Sequence, residues 1–331
     1  MVDTMDMDKI KKISKILLIL VLFLTTGCRQ EKTKKKDISD TSDIQETVQG
    51  TLYIGDGEYN YYGNIKTYII IGTDSRNKSK KYKASMADFL LLAVVDSSAK
   101  TFGLLQIDRN TITEVKLIDD DGSGEATSDE QICCANWYGG TPQISARNTM
   151  DAVSEMLGGI NINRYYSLNM GQIGDINHAV GGVTVEIEDD LTNVDPDFKK
   201  GATVTLTDKQ AEEFVRARMG VTKEKNTARM KRQRTYMKAL GNKVKEDTSL
   251  IETLPEALED KVTTNMVADD FGELREAYSN YKDLGTLTIK GKTKLGDALE
   301  DGEVHEEFYM DETSLIDVMT KLCHLKKGND S

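Results

Sequence analysis

Phe89-Leu90-Leu91-Leu92-Ala93-Val94-Val95, the loop Asp96-Ser97-Ser98-Ala99-Lys100, and a second run from Thr101 to Ile107 decide the fold class of this chain. Both runs are short and largely apolar, as expected of strands buried on both faces. The polar residues between them are of hairpin length. Upstream, Tyr68-Ile69-Ile70-Ile71 closes on Gly72 and reads as another buried strand. Downstream, Thr141-Pro142 opens a helix with Ala146, Met150, Val153 and Leu157 on its apolar face and Gly158-Gly159 at its end. Further strands are expected at Tyr165–Met170, at Val183–Ile187 beyond a Gly181-Gly182 turn, near 286–290 and near 304–309. Thr207-Asp208-Lys209-Gln210 is a capping box that starts a helix through about Ala217. A longer helix covers 226–245, and a last one turns Leu315, Ile316, Met319, Leu322 and Cys323 inward. Strands and helices interleave throughout. The expected fold is α/β: an α/β/α sandwich with a central mixed β-sheet flanked by helices.

The bulk numbers agree with a globular body. Of 331 residues, 38% are hydrophobic, enough for a sizeable core, and 30% are charged. A net charge of −12 argues against nucleic acid as a partner, because that partner demands a broad positive field. Four cysteines (Cys28, Cys133, Cys134 and Cys323) are too few for a disulfide framework at this length. The three histidines show no pairing or metal spacing.

The amino-terminal residues set the compartment. Lys9, Lys11, Lys12 and Lys15 precede the apolar run Ile16 to Leu24, which exits through Thr25-Thr26-Gly27-Cys28. A basic region, a short apolar region and small exit residues are the order of a secretory signal. The apolar stretch is shorter than the roughly 20 residues of a membrane span. Gly27-Cys28 resembles a bacterial lipobox, with lipidation on Cys28, although Thr25 stands where leucine is usual. The other reading is an uncleaved signal anchor. Either way the remainder is expected on the outer face of the cytoplasmic membrane. The expected organisation is a signal segment at 1–28, a tether at 29–64 and a folded domain at 65–326.

Three features carry the chemistry. Gly72-Thr73-Asp74-Ser75-Arg76 leaves the end of a buried strand, where ligands of α/β sheets bind. If the 96–100 loop pairs Asp96 with Lys100, Asp88 falls opposite Asp108 and beside Arg109. If the first strand also runs parallel to the third, Asp74 reaches the same edge. Two carboxylates there suit Mg²⁺, or Mn²⁺, and not zinc; the alternative is that Asp88 and Asp108 merely cap strand ends. Third, Arg216 to Arg234 is a basic island in an acidic chain, and Arg229, Arg232 and Gln233 share a helical face. Arginine forks are well shaped for phosphate oxygens.

Together these stretches resemble the LytR-CpsA-Psr family of bacterial envelope proteins, from about Lys66 to Leu325. Gly72 to Arg76 is similar to the first family motif. Asp88 stands where an Arg-Ser-Asp motif ends, and Arg109 matches the arginine of Pro-Arg-Asp. Gly139-Gly140 and Ala179-Val180-Gly181-Gly182-Val183 match glycine turns. Gln210-Ala211, Val215-Arg216-Ala217-Arg218 and Arg229 through Arg232-Gln233 match the arginine-rich signature in order and spacing. The resemblance implies a phosphotransferase that moves a glycopolymer, such as teichoic acid or capsular polysaccharide, from an undecaprenyl-pyrophosphate carrier to a peptidoglycan hydroxyl. It implies Mg²⁺ on Asp74 and Asp88. Arg76, Arg109, Arg216, Arg218, Arg229 and Gln233 would bind the pyrophosphate, and an apolar pocket would take the prenyl chain.

The chain also departs from the pattern. Met86-Ala87 replaces Arg-Ser before Asp88, and Asp108-Arg109-Asn110 replaces Pro-Arg-Asp. Cys133 sits where asparagine is usual, and Asn226 occupies the place of the aspartate proposed as the family's base. A neutral amide accepts no proton at neutral pH. Two expectations therefore stand side by side: an active transferase with Arg109 and the residue at 226 in its catalytic centre, or a catalytically impaired polyprenyl-phosphate-binding protein with a regulatory or scaffolding role.

Overall fold

Alternating side chains send the buried runs to two cores, one on each side of a single sheet. The computed structural model describes residues 48–74, 82–124, 126–218, 225–247, 261–299 and 301–328, with Leu250 and Leu258. Its strands in chain order are β1 (Val48–Ile54), β2 (Gly57–Tyr62), β3 (Ile65–Thr73), β4 (Ala87–Asp96), β5 (Thr101–Ile107), β6 (Ile112–Leu117), β7 (Ala126–Gln131), β8 (Arg164–Asn169), β9 (Thr184–Glu186) and β10 (Thr203–Thr205). They continue with β11 (Val262–Thr264), β12 (Lys282–Leu287), β13 (Gly291–Gly296), β14 (His305–Met310) and β15 (Lys326–Lys327). The helices are α1 (Pro142–Met156), α2 (Ile173–Ala179), α3 (Asp208–Arg216), α4 (Lys225–Glu246), α5 (Ala268–Asn280) and α6 (Glu312–Cys323).

Six strands form the central sheet in the order β11-β8-β3-β4-β5-β12. The β3–β8 and β5–β12 pairs are parallel and the others antiparallel, so the sheet is mixed as expected. Leu91, Ala93 and Val95 of β4 join Tyr68 and Ile70 of β3 in a core covered by α2 to α5. Leu90, Leu92 and Val94 join Ile69 and Ile71 in a second core covered by α1 and α6. Each such valine, leucine or isoleucine contributes about 1.5–3 kcal/mol on burial. Two apolar faces on one sheet give the α/β/α sandwich.

The helix ends follow their sequence signals. Thr141 Oγ1 accepts from the Ile144 amide at 3.2 Å, and Gly158 and Gly159, both at positive φ, end α1. Thr207 and Gln210 form the capping box of α3.

Four expectations need correction. Asp96 pairs with Thr101, not Lys100, because Ser97 to Lys100 forms a four-residue connection with Lys100 at φ 53°. The expected tether ends early: residues 48–62 form the β1–β2 hairpin, whose Leu52, Ile54 and Tyr61 are buried in the second core. Only 29–47 of it lie outside the described residues. The strand expected near 286–290 is two strands, β12 and β13, with the break between them. Helix α5 was not foreseen; its Phe271, Leu274 and Ala277 cover the first core.

Candidate active site

The β4–β5 register that pairs Leu90 with Ile107 carries Asp88 to Arg109. On its other side, β4 pairs Phe89 with Gly72 and then Ala87 with Thr73, which leaves Asp88 as the extra residue of a β-bulge. Bulges re-aim side chains beside functional sites. Here the Asp88 carboxylate meets two guanidinium groups: Arg109 Nε lies 2.9 Å from Oδ1, and Arg229 Nη1 donates to Oδ2 at 3.1 Å. Asp88 is therefore not a strand-end cap. Asp74 leaves β3 at the same end of the sheet, its amide donating to the Met86 carbonyl at 3.2 Å. Its carboxylate pairs with Arg216 at the end of α3, which also holds Glu212.

Sequence departures around Arg109 fit one another. Nη2 of Arg109 donates to Cys133 Sγ at 2.8 Å and to Met86 Sδ at 2.9 Å. Two sulfur atoms thus hold the guanidinium in a 6% exposed position. Burial opposes charge on Cys133, but the Cys134 thiol and the Arg109 guanidinium together hold its pKa below the usual thiol range. Cys133 and Cys134 are both buried and free, so the adjacent pair forms no bridge.

The arginine island divides into two groups. Arg232 donates to the carbonyls of Phe214, at 3.1 Å, and Ala217, which ties α4 to the end of α3. Arg109, Arg216, Arg218 and Arg229 instead converge on the sheet end; the Nε of Arg109 faces Asp88, whereas those of Arg216, Arg218 and Arg229 are buried without a hydrogen-bond partner among the described residues. Buried unspent donors of this kind mark a place for an anion or water. Burial, opposed by Asp88 and reinforced by Arg109 and Arg218, pushes Arg229 down to about 10, so it stays charged at neutral pH.

Asn226 is buried in the first turn of α4. Its Oδ1 accepts from Arg229 Nη2 at 2.5 Å and its Nδ2 donates to Asp108 Oδ1 at 2.6 Å. Gln233, expected on phosphate, lies deeper: its Oε1 accepts from Gln106 at 3.3 Å and its Nε2 donates to the Val215 carbonyl at 3.4 Å. Ser75, Arg76 and Cys28 lie outside the described residues.

Beside the charged cluster, an apolar cavity of about 70 Å³ opens between the sheet and α2, α3 and α4. Ile70, Leu91 and Leu168 form its floor, and Ile176, Tyr236 and Leu240 its roof. Gly72, Phe89, Val215 and Gln233 line it too, and the first three lie within two residues of Asp74, Asp88 and Arg216. A Cβ on Gly72 would come within 2.8 Å of Phe89 Cβ, so the glycine keeps this end open.

The donor set bears on a metal. Among the described residues no three His, Cys, Asp or Glu side chains are grouped to hold an ion. Asp74 and Asp88 supply only oxygen at one sheet end. Mg²⁺ commonly takes one or two carboxylates and completes its shell with water and substrate phosphates. The residues fit an ion that arrives with a pyrophosphate, not one caged by protein alone.

Comparison with known proteins agrees with the geometry. The profile of the LytR_cpsA_psr family matches residues 21–323. The polyisoprenyl-teichoic acid–peptidoglycan teichoic acid transferase TagU of Bacillus licheniformis is 25% identical over 325 residues, covering 96% of this chain and 98% of that protein. The Lin1025 protein of Listeria innocua shares the fold with a TM-score of 0.55 at 25% identity, over 78% of this chain and 98% of its own. TagV of B. subtilis does so with a TM-score of 0.56 at 21% identity, over 78% and 96%.

Proposed function

The chain belongs to the LytR_cpsA_psr family, and from that premise we propose that it transfers a polyprenyl-pyrophosphate-linked glycopolymer of the teichoic acid type to peptidoglycan. One observation carries this reading: four arginines, three of them with unspent buried Nε donors, and two aspartates meet where an apolar cavity begins. A prenyl chain belongs in the cavity, its pyrophosphate on Arg109, Arg216, Arg218 and Arg229, and its glycan outside. Arg76 is a further phosphate ligand in this proposal, and Gln233 lines the lipid's path.

In the reaction, an acceptor hydroxyl oxygen bonds to the glycan-bearing phosphorus. The bond from that phosphorus to the bridging oxygen breaks, polyprenyl monophosphate leaves, and the hydroxyl proton goes to a base. The transition state spreads charge over phosphoryl oxygens, so fixed cationic donors in a dry site stabilise it. Asp74 and Asp88 would hold Mg²⁺ or Mn²⁺, which supplies further charge neutralisation when bound.

A second reading, a lipid binder without turnover, rests on Asn226. Its amide is 3% exposed and committed at both ends, so it offers no base. Incubating the folded chain with a polyprenyl-pyrophosphate glycan and peptidoglycan separates the two. Release of polyprenyl monophosphate with attached glycan supports transfer; binding without release supports the second reading.

The site is proposed to work on the outer face of the cytoplasmic membrane, held there through Cys28. Among the described residues no helix is long and apolar enough to cross a membrane. Mass spectrometry of the native amino terminus decides between a diacylglyceryl-Cys28 end and an intact signal anchor.

A further inference from the structure

Asp108 differs from every other carboxylate at this sheet end. Asp74, Asp88 and Glu212 each pair with a guanidinium. Among the described residues the Asp108 carboxylate has no ion pair, and both of its hydrogen bonds, from the Asn110 amide at 2.9 Å and Asn226 Nδ2 at 2.6 Å, fall on Oδ1. Its Oδ2 has none among the described residues.

That carboxylate lines a cavity of about 270 Å³, separate from the apolar one. Helix α4 divides them. Thr227, Met230 and Arg234 face the Asp108 side at i, i+3 and i+7, whereas Tyr236, Met237 and Leu240 face the apolar side. Hydroxyls of Thr111 and Thr227, the cationic Arg234 and Lys290, and the ring of Phe308 also border the Asp108 cavity. Hydroxyl and charged groups beside an aromatic ring suit a sugar that carries an acidic substituent. Lipid and sugar would thus reach the arginine cluster from opposite sides of α4. The hydrogen-bonded series Asp108–Asn226–Arg229–Asp88 links the two sides.

We propose that this cavity is the acceptor site for peptidoglycan sugar and that Asp108 Oδ2 takes the proton of the attacking hydroxyl. The inference rests on the transferase reading. In the step, the hydroxyl O–H bond breaks to give Asp108–OH, the new O–P bond forms, and polyprenyl monophosphate carries away the electrons of the broken P–O bond. Asn226 is then a positioning residue, fixing Oδ1 so that Oδ2 faces the cavity. Burial pushes the Asp108 carboxyl above the usual range, against the Asn110 amide, Arg229, Arg109 and Asn226, which favour its charged form. That makes it a stronger proton acceptor than an exposed aspartate.

The test compares turnover with prenyl-pyrophosphate binding in Asp108→Asn and in the exchanged pair Asp108→Asn/Asn226→Asp. A positioned base contributes roughly 10²–10⁴-fold, so Asp108→Asn is expected to lose that much turnover with unchanged lipid affinity. The exchanged pair keeps one carboxylate and one amide in the same hydrogen bond but takes the carboxylate out of the cavity to position 226, where both ends are committed, so its turnover is expected to stay as low as that of Asp108→Asn. Full turnover in Asp108→Asn overturns the proposal. Should the single variant fail to fold, full turnover by a folded, lipid-binding exchanged pair overturns it equally. Failure of the transferase reading looks different, because the unaltered protein then releases no polyprenyl monophosphate. The cavity is still read by calorimetric binding of the disaccharide N-acetylglucosaminyl-N-acetylmuramic acid, which Phe308→Ala and Lys290→Ala should weaken; no binding by the unaltered protein rejects the acceptor site.

Discussion

Asp88 faces Arg109 across two neighbouring strands, Oδ1 to Nε at 2.9 Å, and does so as the one unpaired residue of a bulge in β4. The pairing leaves it aimed at the sheet end, where α4 adds Arg229 from above. Asp74 reaches the same end from β3 and is held by Arg216.

If these carboxylates take a divalent ion together with pyrophosphate, prenyl-pyrophosphate binding should strengthen with Mg²⁺ or Mn²⁺. Asp74→Ala and Asp88→Ala should each abolish that enhancement while keeping a cooperative thermal transition. Metal-dependent binding that survives in both variants removes the ligand assignment.

Gly72→Val should close the lipid end of the site. The new side chain would press on Phe89 and Met170, both of which line the apolar cavity. Affinity for a long prenyl pyrophosphate is expected to fall at least about 10-fold, or about 1.4 kcal/mol. Inorganic pyrophosphate, which uses only the charged groups, should bind as before. Equal losses for both ligands would point to a distorted sheet instead.

Arg229→Lys tests the fork. Arg229 bonds Asp88 and Asn226 with different nitrogens, and lysine offers a single point charge. Turnover is expected to drop about 10-fold or more, with the melting temperature lowered only slightly. Retained turnover would assign the site's charge, and not its fork geometry, to binding.

Asp96 governs stability in acid. It is 1% exposed, and its Oδ1 accepts from Ser98 Oγ (2.6 Å) and from the amides of Ser98 (2.8 Å), Ala99 (3.0 Å) and Asn64 (3.2 Å). Burial raises its pKa, but these bonds, Ser98 foremost, leave it below the usual carboxylate value. A depressed folded pKa means the stabilisation is present above the unfolded value of about 3.9 and disappears as pH falls through the folded value. Asp96→Ala should therefore cost about 2–3 kcal/mol near pH 7 in denaturant titration. The gap should narrow towards pH 3, and a gap independent of pH would remove the charge from the explanation.

Much of this was legible in the sequence because periodicity and caps are local. The runs at Tyr68, Phe89 and Thr101 became β3, β4 and β5, and Thr141 and Thr207 capped their helices. What escaped depended on longer-range fit. The β4–β5 register turned on one residue of loop length, which the Asp96 carboxylate fixes through its bonds to the connection. The β1–β2 hairpin looked like a polar spacer, although Gly55-Asp56 beyond Leu52 and Ile54 was a readable turn signal. Neither the bulge at Asp88 nor the bond from Asn226 to Asp108 has a local signature, because each joins residues distant along the chain. Asp108 was visible as a departure at its position, but its tie to a second departure at Asn226 appears only in three dimensions.

Strand β15 pairs Lys326 with Asn60 and Lys327 with Tyr59, and Leu325 is buried in the same core as Leu52, Ile54 and Tyr61. A two-stranded hairpin is marginal in water on its own. A ribosome releases β1 and β2 first among the described elements, yet the segment that completes their small sheet is the last of those elements. The hairpin's edge must wait until every other described element has been made. Loss of the segment from Leu325 to Lys327 would therefore loosen the beginning of the fold, far from it in sequence and next to it in space.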